Sequence, residues 1–162
     1  MLSSMIHLGL GSNSLTGSIP TELGLLAFSN GLSLYDNGLT GSLPTELGLL
    51  SSMIHLGLGS NSLTGSIPTE LGLLAFSNGL SLYDNGLTGS LPTELGLLTN
   101  ISWLHLYTNS LTGSLPNELS SLTSMGSFIV ENNAGLCGAV PTLSASISTT
   151  GTNLGTACLT AG

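Results

Sequence analysis

Apolar residues recur along most of the chain in short, evenly spaced groups, with serine, threonine, glycine and asparagine between them. In the first group, Leu8 and Leu10 alternate with small or polar residues, which predicts a short, half-buried strand. Leu15, Ile19 and Leu23 follow at wider intervals and continue the apolar set. We therefore expect each group to form one strand and a returning coil whose leucines face a common interior.

The pattern has a fixed period of 24 residues, marked by an asparagine that occurs six times. A period in this range is typical of a solenoid, in which each turn buries its apolar side against its neighbours. A longer period is superimposed, because residues 2–50 recur without change as residues 50–98. The six asparagines are Asn13, Asn37, Asn61, Asn85, Asn109 and Asn133.

Stacking of the turns predicts columns of like residues. The strand leucines form the core, and Phe128 and Val130 end their two columns. A buried amide without a partner costs about 1–3 kcal/mol, so we expect the asparagines to form a hydrogen-bond ladder with backbone groups of their own and the adjacent turn. The Ile/Leu-Pro step that follows predicts a short helical or 3₁₀ turn, with proline at its first position and glutamate in its first turn.

Together these positions give the pattern LxxLxLxxNxLTGxIPxxLGxL over residues 2 to about 141. This pattern closely resembles the plant-type extracellular leucine-rich repeat, and its LTGxIP phrase is specific to that subclass. The resemblance implies an α/β solenoid that winds as a right-handed superhelix, with a parallel β-sheet on its concave face and short 3₁₀ or helical turns on its convex side. It also implies a second short strand at each LTGS segment.

The repeats divide the chain into two parts. Residues 1–141 are predicted to form the solenoid, with five full 24-residue repeats and a C-terminal capping repeat in which "NNAGLCGAVP" looks like the closing phrase of such domains. The family's N-terminal cysteine cap is absent, so we expect the first turn to have a bare edge. Residues 142–162 are rich in serine, threonine and glycine, and we interpret them as a cap remnant and a flexible tail.

Two cysteines, Cys137 and Cys158, lie near the end of the chain. Their even number and their clustering favour one disulfide and an oxidising, secreted or cell-wall setting, while two free buried thiols are the alternative. The sequon at Asn100 fits the same setting. The chain opens directly in a repeat-like phrase rather than in a signal peptide, which indicates a mature form or a fragment.

Charge restricts the partners. Eight acidic residues and no lysine or arginine give a formal net charge of −8, so no patch can neutralise phosphates or attract anionic lipid. Hydrophobic residues make up 41% of the chain, but no apolar run approaches the ~18 residues that span a bilayer. We therefore expect no nucleic-acid partner and no membrane insertion.

Outward-facing strand positions on the concave side are the usual ligand surface of the family. Most of them are small here, but one aromatic patch offers a candidate site for a protein or carbohydrate partner. Its residues are Trp103, His105, Tyr107, Tyr83 and Asp84. The alternative interpretation is that these side chains face solvent without a ligand.

Catalysis and metal binding find little support in the sequence. No nucleophile–base arrangement or oxyanion hole emerges, so we expect no enzymatic activity and no cofactor. His7 and His55 lie two turns apart, roughly 10 Å, which is too far to share a metal ion. Five glutamates are expected to stack along the turns and could attract a divalent cation, but we prefer the interpretation that they form a solvated face. They are Glu22, Glu46, Glu70, Glu94 and Glu118.

The LTGS segments define another surface. If each is a strand, its threonine and serine point the same way about 7 Å apart, and adjacent turns lie about 5 Å apart. The result is a flat, uncharged hydroxyl grid similar to the Thr-x-Thr ranks of solenoid ice-binding proteins; alternatively, LTGS simply belongs to the subclass. The grid comprises Thr16, Ser18, Thr40, Ser42, Thr64, Ser66, Thr88, Ser90, Thr112 and Ser114.

Three functional hypotheses follow. The first is a non-enzymatic extracellular module for protein or glycan recognition or scaffolding, as the family resemblance implies. The second is a structural solenoid that self-assembles head to tail into filaments through its bare first edge. The third is ice binding through the hydroxyl grid. Two identical copies favour a lattice-like or self-associating surface, but recent duplication explains the identity equally well.

Overall fold

The computed structural model describes residues 5–26, 28–75 and 78–158. Two parallel sheets run along this part of the chain, each with seven strands, and consecutive strands alternate between the sheets. Each turn of the solenoid therefore contributes one strand to each sheet, and a short 3₁₀ turn follows the second strand in five of the turns described. The predicted solenoid with a parallel sheet and short 3₁₀ turns is confirmed.

The first sheet, here called the concave sheet, consists of β1 (Met5–Gly9), β3 (Phe28–Ser33), β5 (His55–Gly57), β7 (Gly79–Ser81), β9 (Trp103–His105), β11 (Ser127–Ile129) and β13 (Ser146–Ser148). The second, here called the hydroxyl sheet, consists of β2 (Thr16–Ser18), β4 (Gly38–Ser42), β6 (Ser62–Ser66), β8 (Gly86–Gly89), β10 (Ser110–Ser114), β12 (Gly135–Gly138) and β14 (Asn153–Leu154). The implied second strand at the LTGS segments is thus present.

Leucine columns form the core, as the period predicts. Leu32, Leu56, Leu80, Leu104 and Phe128 pair in succession across the concave sheet and are fully buried. Complete burial of one such side chain contributes about 1.5–3 kcal/mol relative to an exposed one. A register offset of one full repeat places these leucines directly beside one another in the interior.

The asparagine ladder is confirmed, and Asn85 shows its geometry. Its Nδ2 donates to the carbonyl oxygens of Leu82 at 3.2 Å and Tyr83 at 3.1 Å in its own turn, and of Leu58 at 3.1 Å in the preceding turn. Its Oδ1 accepts from the Leu63 N–H at 2.9 Å. The equivalent bonds recur at Asn37, Asn61, Asn109 and Asn133. Each amide thus joins two turns.

Five 3₁₀ turns span Thr21–Leu25, Thr45–Leu49, Thr69–Leu73, Thr93–Leu97 and Asn117–Ser121. The sequence predicted proline at the first helical position, but each proline lies one residue earlier, as the cap of its turn in extended backbone. The Pro68 carbonyl, for example, accepts from the Leu71 N–H at 3.2 Å. No helix in the described residues is long and apolar enough to cross a membrane.

Adjacent 3₁₀ turns stack so closely that the fourth residue must be glycine wherever another 3₁₀ turn follows in the stack. A Cβ atom at Gly72 would lie 2.3 Å from the carbonyl oxygen of Glu94 in the next turn, well inside van der Waals contact. Gly24, Gly48 and Gly96 are in the same position. In the last 3₁₀ turn described, Ser120 occupies this place, where the described residues include no further 3₁₀ turn to stack on it.

The first turn exposes part of its apolar side at the end of the sheets. Leu10 and Leu15 are 37% and 38% exposed, whereas their equivalents in later turns are buried. Together with Leu8, Ile19 and Leu23 they line a groove of about 260 Å³. The hypothesis that this edge joins another copy in a filament stays a prediction.

The C-terminal segment differs from the predicted flexible tail over the residues described. β13 pairs with β11 and β14 with β12, so residues 142–158 add one shortened turn to both sheets. Cys137 and Cys158 form a disulfide, with their Cα atoms 5.0 Å apart, which supports the favoured pairing over two free thiols. The disulfide ties the end of this extra turn to β12. Residues 159–162 of the predicted tail lie outside the described residues.

Candidate functional site

The structure brings the five predicted patch residues together near the middle of the concave sheet, on and after its fourth and fifth strands. Trp103 and His105 lie on β9, and their ring centroids are 5.0 Å apart. Tyr107 follows β9, 6.4 Å from His105, and stacks on Tyr83 of the preceding turn with centroids 4.7 Å apart and planes 4° from parallel. Asp84 adjoins Tyr83 in sequence. The rings therefore form one continuous row of contacts.

His55 extends this row, which the sequence interpretation missed. Its ring centroid is 5.2 Å from that of Trp103, two turns further along the same column. In the sequence, His55 stands out only beside His7, as a pair too far apart to share a metal ion. Gly79 is the feature of the sequence that could have revealed this contact. It lies between His55 and Trp103 in the column and has no side chain, so the two rings can meet above it.

Glycines in the preceding turn support the rings. A Cβ atom on Gly79 would lie 2.2 Å from Cδ2 of Trp103, and one on Gly59 would lie 2.5 Å from Cε1 of Tyr83. Trp103 and Tyr83 thus pack directly against the main chain, and Tyr35, which follows the second strand of the sheet, packs against Gly11 in the same way. In the sequence these glycines count only as small outward positions, although each precedes its ring by one period of 24 residues and so lies directly beneath it.

Hydrogen bonds hold three of the patch side chains. Trp103 Nε1 donates to Asn78 Oδ1 at 2.8 Å, and Asp84 Oδ2 accepts from the Ser60 hydroxyl at 3.2 Å. His105 Nε2 lies within hydrogen-bond distance, 3.3 Å, of Ser127 Oγ. Trp103 is therefore held both by packing against Gly79 and by its hydrogen bond to Asn78. Neither Asn78 nor Ser127 stands out in the sequence.

Burial shifts the pKa values of three side chains of the row in the direction that favours their neutral forms. Burial lowers the pKa of His105, and burial is also the main cause that lowers the pKa of His55, with a smaller effect from His7 and partial opposition from the Gly79 backbone. Burial, followed by the neighbouring Tyr83, raises the pKa of Tyr107. The negative charge near the patch therefore belongs to its carboxylates.

The hydroxyl sheet presents the second candidate surface. All ten threonines and serines of the predicted grid are exposed, while the apolar residues on either side of each Thr-Gly-Ser segment point inward in the later turns. The glycine at the centre of each segment makes this arrangement possible, because its φ of 76–85° departs from that of a regular strand. These glycines are Gly17, Gly41, Gly65, Gly89 and Gly113. Three consecutive residues thus face outward in each turn.

The register between neighbouring strands of the hydroxyl grid differs from the one expected from the 24-residue period. Ser18 pairs with Thr40, and Thr40 pairs with Ser62, so neighbouring turns are offset by 22 residues rather than 24. Serine and threonine therefore stand side by side across the strands, about 4.8 Å apart, and successive threonines lie on a diagonal about 8 Å apart. Ser66, Thr88 and Ser110 form a second such row.

The five glutamates lie on the 3₁₀ turns, and the carboxylates of four of them accept a local hydrogen bond. Oε2 of Glu22, Glu46, Glu70 and Glu94 accepts from the hydroxyl of the preceding threonine at 3.2–3.4 Å. The described residues contain no group of three or more His, Cys, Asp or Glu side chains placed to hold a metal ion.

Comparison with known proteins places this geometry in a family. The family model described as Leucine Rich Repeat matches residues 100–122. A chain of the BIR3–SERK2 complex from Arabidopsis thaliana is 36% identical, with a TM-score of 0.68 over 86% of this chain and 72% of that one. The chain belongs to the plant-type extracellular leucine-rich-repeat family. No curated protein matches this leucine-rich-repeat chain.

Two further structures are similar to this leucine-rich-repeat protein. The ectodomain of the plant membrane receptor kinase GASSHO1/SCHENGEN3 from Arabidopsis thaliana, in complex with CASPARIAN STRIP INTEGRITY FACTOR 2, is 33% identical with a TM-score of 0.82. This chain aligns over 93% of its length but spans only 19% of that ectodomain. A plant ice-binding protein is 27% identical with a TM-score of 0.79, over 91% of this chain and 49% of that one.

Proposed function

We propose that this leucine-rich-repeat protein is a non-enzymatic recognition module that binds a protein or glycan partner on its concave sheet. The observation that carries the proposal is the continuous row of rings from His55 through Trp103, His105 and Tyr107 to Tyr83. Rigid aromatic side chains provide large contact areas at low cost in conformational entropy and dominate many binding interfaces. The similar ectodomain bound to a factor supports a protein partner.

The setting we propose is extracellular, in the secreted fraction or the cell wall. The Cys137–Cys158 disulfide supports an oxidising compartment. Asn100 is exposed in a turn, so its side chain is accessible to a glycosylating enzyme. With a net charge of −8 and no lysine or arginine, nucleic acid and anionic membrane surfaces are unfavourable partners.

Trp103 makes the recognition proposal directly measurable, because it is the single tryptophan of the chain. We expect a ligand selected on peptide or glycan arrays to change Trp103 fluorescence on titration. Tyr107→Ala should lower the affinity for that ligand about tenfold, equivalent to about 1.4 kcal/mol, because it removes one of the two stacked tyrosine rings.

The matched control is Tyr35→Ala. Tyr35 occupies the same column three turns earlier, is exposed, and rests on Gly11 outside the patch. Its replacement should leave affinity within about twofold of the parent protein, a loss well below the ~2 kcal/mol that marks a binding hot spot. Equal losses for the two tyrosines would show that binding does not use the patch.

Ice binding is the second candidate, and the shape of the hydroxyl sheet favours it. Ten exposed hydroxyl side chains stand in regular rows with no charged residue among them. A regular, uncharged surface can match a repeating lattice, whereas an irregular ligand calls for different residues on different turns. The similar plant ice-binding protein supports this candidate.

Thermal hysteresis, measured on single ice crystals, tests the second candidate. If the grid binds ice, Thr64→Tyr should abolish most of the hysteresis, because a bulky ring in the central turn prevents flat contact. Thr69→Tyr is the control, since Thr69 is exposed on a 3₁₀ turn outside the grid. A parent protein without hysteresis, or equal losses in both variants, would exclude the grid as an ice-binding surface.

A further inference from the structure

Four leucines form an exposed row along the 3₁₀ turns, here called the leucine ridge. Each is the last residue of its turn, and each is 62–77% exposed. The core does not use them, because the leucine that follows each one, such as Leu74 after Leu73, points inward in its place. In the repeat pattern they hold the variable position between the glycine and that inward leucine. The ridge consists of Leu25, Leu49, Leu73 and Leu97.

Neighbouring leucines of the ridge lie next to each other across the turns. Leu25 and Leu49 line one groove of about 220 Å³, with Ser51 and Ser52 also on its wall. Because turns of the solenoid are about 5 Å apart, the four leucines together span about 15 Å. A contiguous row of exposed apolar side chains marks an interaction surface on a protein.

A column of glutamates runs beside the ridge. A Cβ atom on Gly24, the residue before Leu25, would lie 2.8 Å from Cβ of Glu46 in the next turn, and the same contact recurs in the next three pairs of turns. The preceding threonine donates to four of the carboxylates, as Thr69 does to Glu70 at 3.2 Å. The chain has no lysine or arginine to offset these charges. The surface therefore joins an apolar stripe to an acidic one.

The period of this surface matches that of an α-helix. A helix advances 5.4 Å per turn, so residues at i, i+4, i+7 and i+11 present one side chain per turn along one face. Against solenoid turns about 5 Å apart, the mismatch over four turns stays below about 2 Å. A helix parallel to the solenoid axis can thus place one apolar side chain beside each ridge leucine.

Charge decides which kind of partner fits the surface. A second copy of this chain or an anionic lipid would bring further negative charge against the glutamate column, whereas lysine and arginine would form charge-assisted contacts with it. We propose that the leucine ridge and the glutamate column bind an amphipathic α-helix of a partner protein, with its apolar stripe on the ridge and lysine or arginine along the flank that faces the glutamates. The surface lies on the 3₁₀ turns, so the inference goes beyond recognition on the concave sheet and does not depend on it.

Three alanine-based peptides of about 18 residues, long enough to form a helix, test the chemistry of the partner. The first has leucines at i, i+4, i+7 and i+11 and lysines along one flank, the second has glutamates in place of the lysines, and the third has the residues of the first in an order that breaks the stripe. We expect the first to bind about tenfold more tightly than the other two, measured by fluorescence anisotropy of labelled peptide, and its affinity to fall as salt is added. Equal binding of either control peptide would overturn the inference.

The double variant Leu49→Ser with Leu73→Ser tests the ridge. Both leucines are exposed, and Ser121 occupies the equivalent position in the last 3₁₀ turn described, so the fold is retained. We expect this variant to bind the first peptide about tenfold more weakly. Ile6→Ser is the control, because Ile6 is 67% exposed on β1, outside the ridge, and its replacement should change affinity by less than about twofold. Equal losses in the two proteins would exclude the ridge as the binding surface.

The double variant Glu46→Gln with Glu70→Gln tests the glutamate column. Glutamine keeps an oxygen that accepts from the threonine hydroxyl, so only the charge is lost. We expect binding of the first peptide to weaken about five- to tenfold and to depend less on salt. Asp36→Asn with Asp84→Asn removes two charges beside the concave sheet, where asparagine tolerates φ values of 52–55°, and should change affinity by less than about twofold. Equal weakening by both pairs would mean that net charge alone attracts the peptide, and the inference would fall.

Other occupants of the ridge would give different results. A second copy would appear in sedimentation as a dimer that Leu49→Ser with Leu73→Ser dissociates, and a lipid surface would appear as co-flotation with phosphatidylcholine vesicles. Either result without binding of the first peptide would overturn the inference. A helical peptide that changed Trp103 fluorescence in a Tyr107-dependent way would be bound on the aromatic patch, which also contradicts it. If no helical peptide binds while an array ligand still depends on Tyr107, the helix proposal fails and recognition on the concave sheet stands.

Discussion

Gly72→Ala is expected to destabilise the protein by about 3 kcal/mol, near the upper end of the range for overpacked interiors. The added Cβ would lie 2.3 Å from the carbonyl oxygen and 2.8 Å from Cβ of Glu94, and these atoms belong to the next 3₁₀ turn of the stack. Main-chain atoms held by the hydrogen bonds of two adjacent turns cannot move aside as a flexible side chain would. Thermal unfolding should show a fall in Tm of about 10 °C.

Ser120→Ala is the control, because Ser120 occupies the equivalent position in the last 3₁₀ turn described. This residue already carries a Cβ, and its exposed hydroxyl donates only to the Asn117 carbonyl, at 2.7 Å. Its loss should cost less than about 1 kcal/mol. A Gly72→Ala protein with the Tm of the parent would mean that the stack adjusts to a methyl group, contrary to the geometry.

Replacement of a central ladder asparagine should have a comparable effect. Asn85→Ala removes three donated bonds and one accepted bond, and it leaves the Leu63 N–H without its partner between two turns. Since each unsatisfied buried group costs about 1–3 kcal/mol, we expect a loss of at least 3 kcal/mol in the free energy of unfolding. Denaturant titration followed by circular dichroism measures it.

Asn13→Ala provides the matched comparison at the first turn described. Asn13 is exposed, and its Nδ2 donates only to the Leu10 and Gly11 carbonyls of its own turn. We expect this variant to lose less than about 1 kcal/mol, because water can replace both bonds. If the two variants lost equal stability, the bonds that Asn85 makes to neighbouring turns would contribute nothing.

Part of the candidate site was predictable from the sequence, and the missing part has a common cause. Trp103, His105, Tyr107 and Tyr83 were found because outward strand positions follow directly from the alternation around the buried leucines. His55, Gly79 and Asn78 were missed because they act on Trp103 from other turns. Contacts between turns depend on the direction in which each side chain leans, and residue types alone do not give that direction.

The C-terminal segment is a second part of the structure that residue types alone did not predict. Residues after 141 abandon the leucine period, so the sequence favoured a tail. In the structure the Val130 N–H donates to the Ser148 carbonyl at 3.0 Å, and the Asn132 N–H donates to the Thr150 carbonyl at 2.7 Å. These bonds use main-chain groups that every residue type supplies. A strand added to an exposed sheet edge therefore needs no side-chain pattern of its own.

The sequence by itself determined the solenoid, its period, the buried leucine columns and the asparagine ladder, because each follows from burying apolar side chains and satisfying polar ones in identical turns. Only the tertiary structure decided the register of the hydroxyl sheet. There the Leu15 N–H donates to Asn37 Oδ1 at 2.9 Å and the Gly38 N–H to the Leu15 carbonyl at 2.8 Å. These bonds between turns shift each strand by two residues against the period, and so place serine beside threonine.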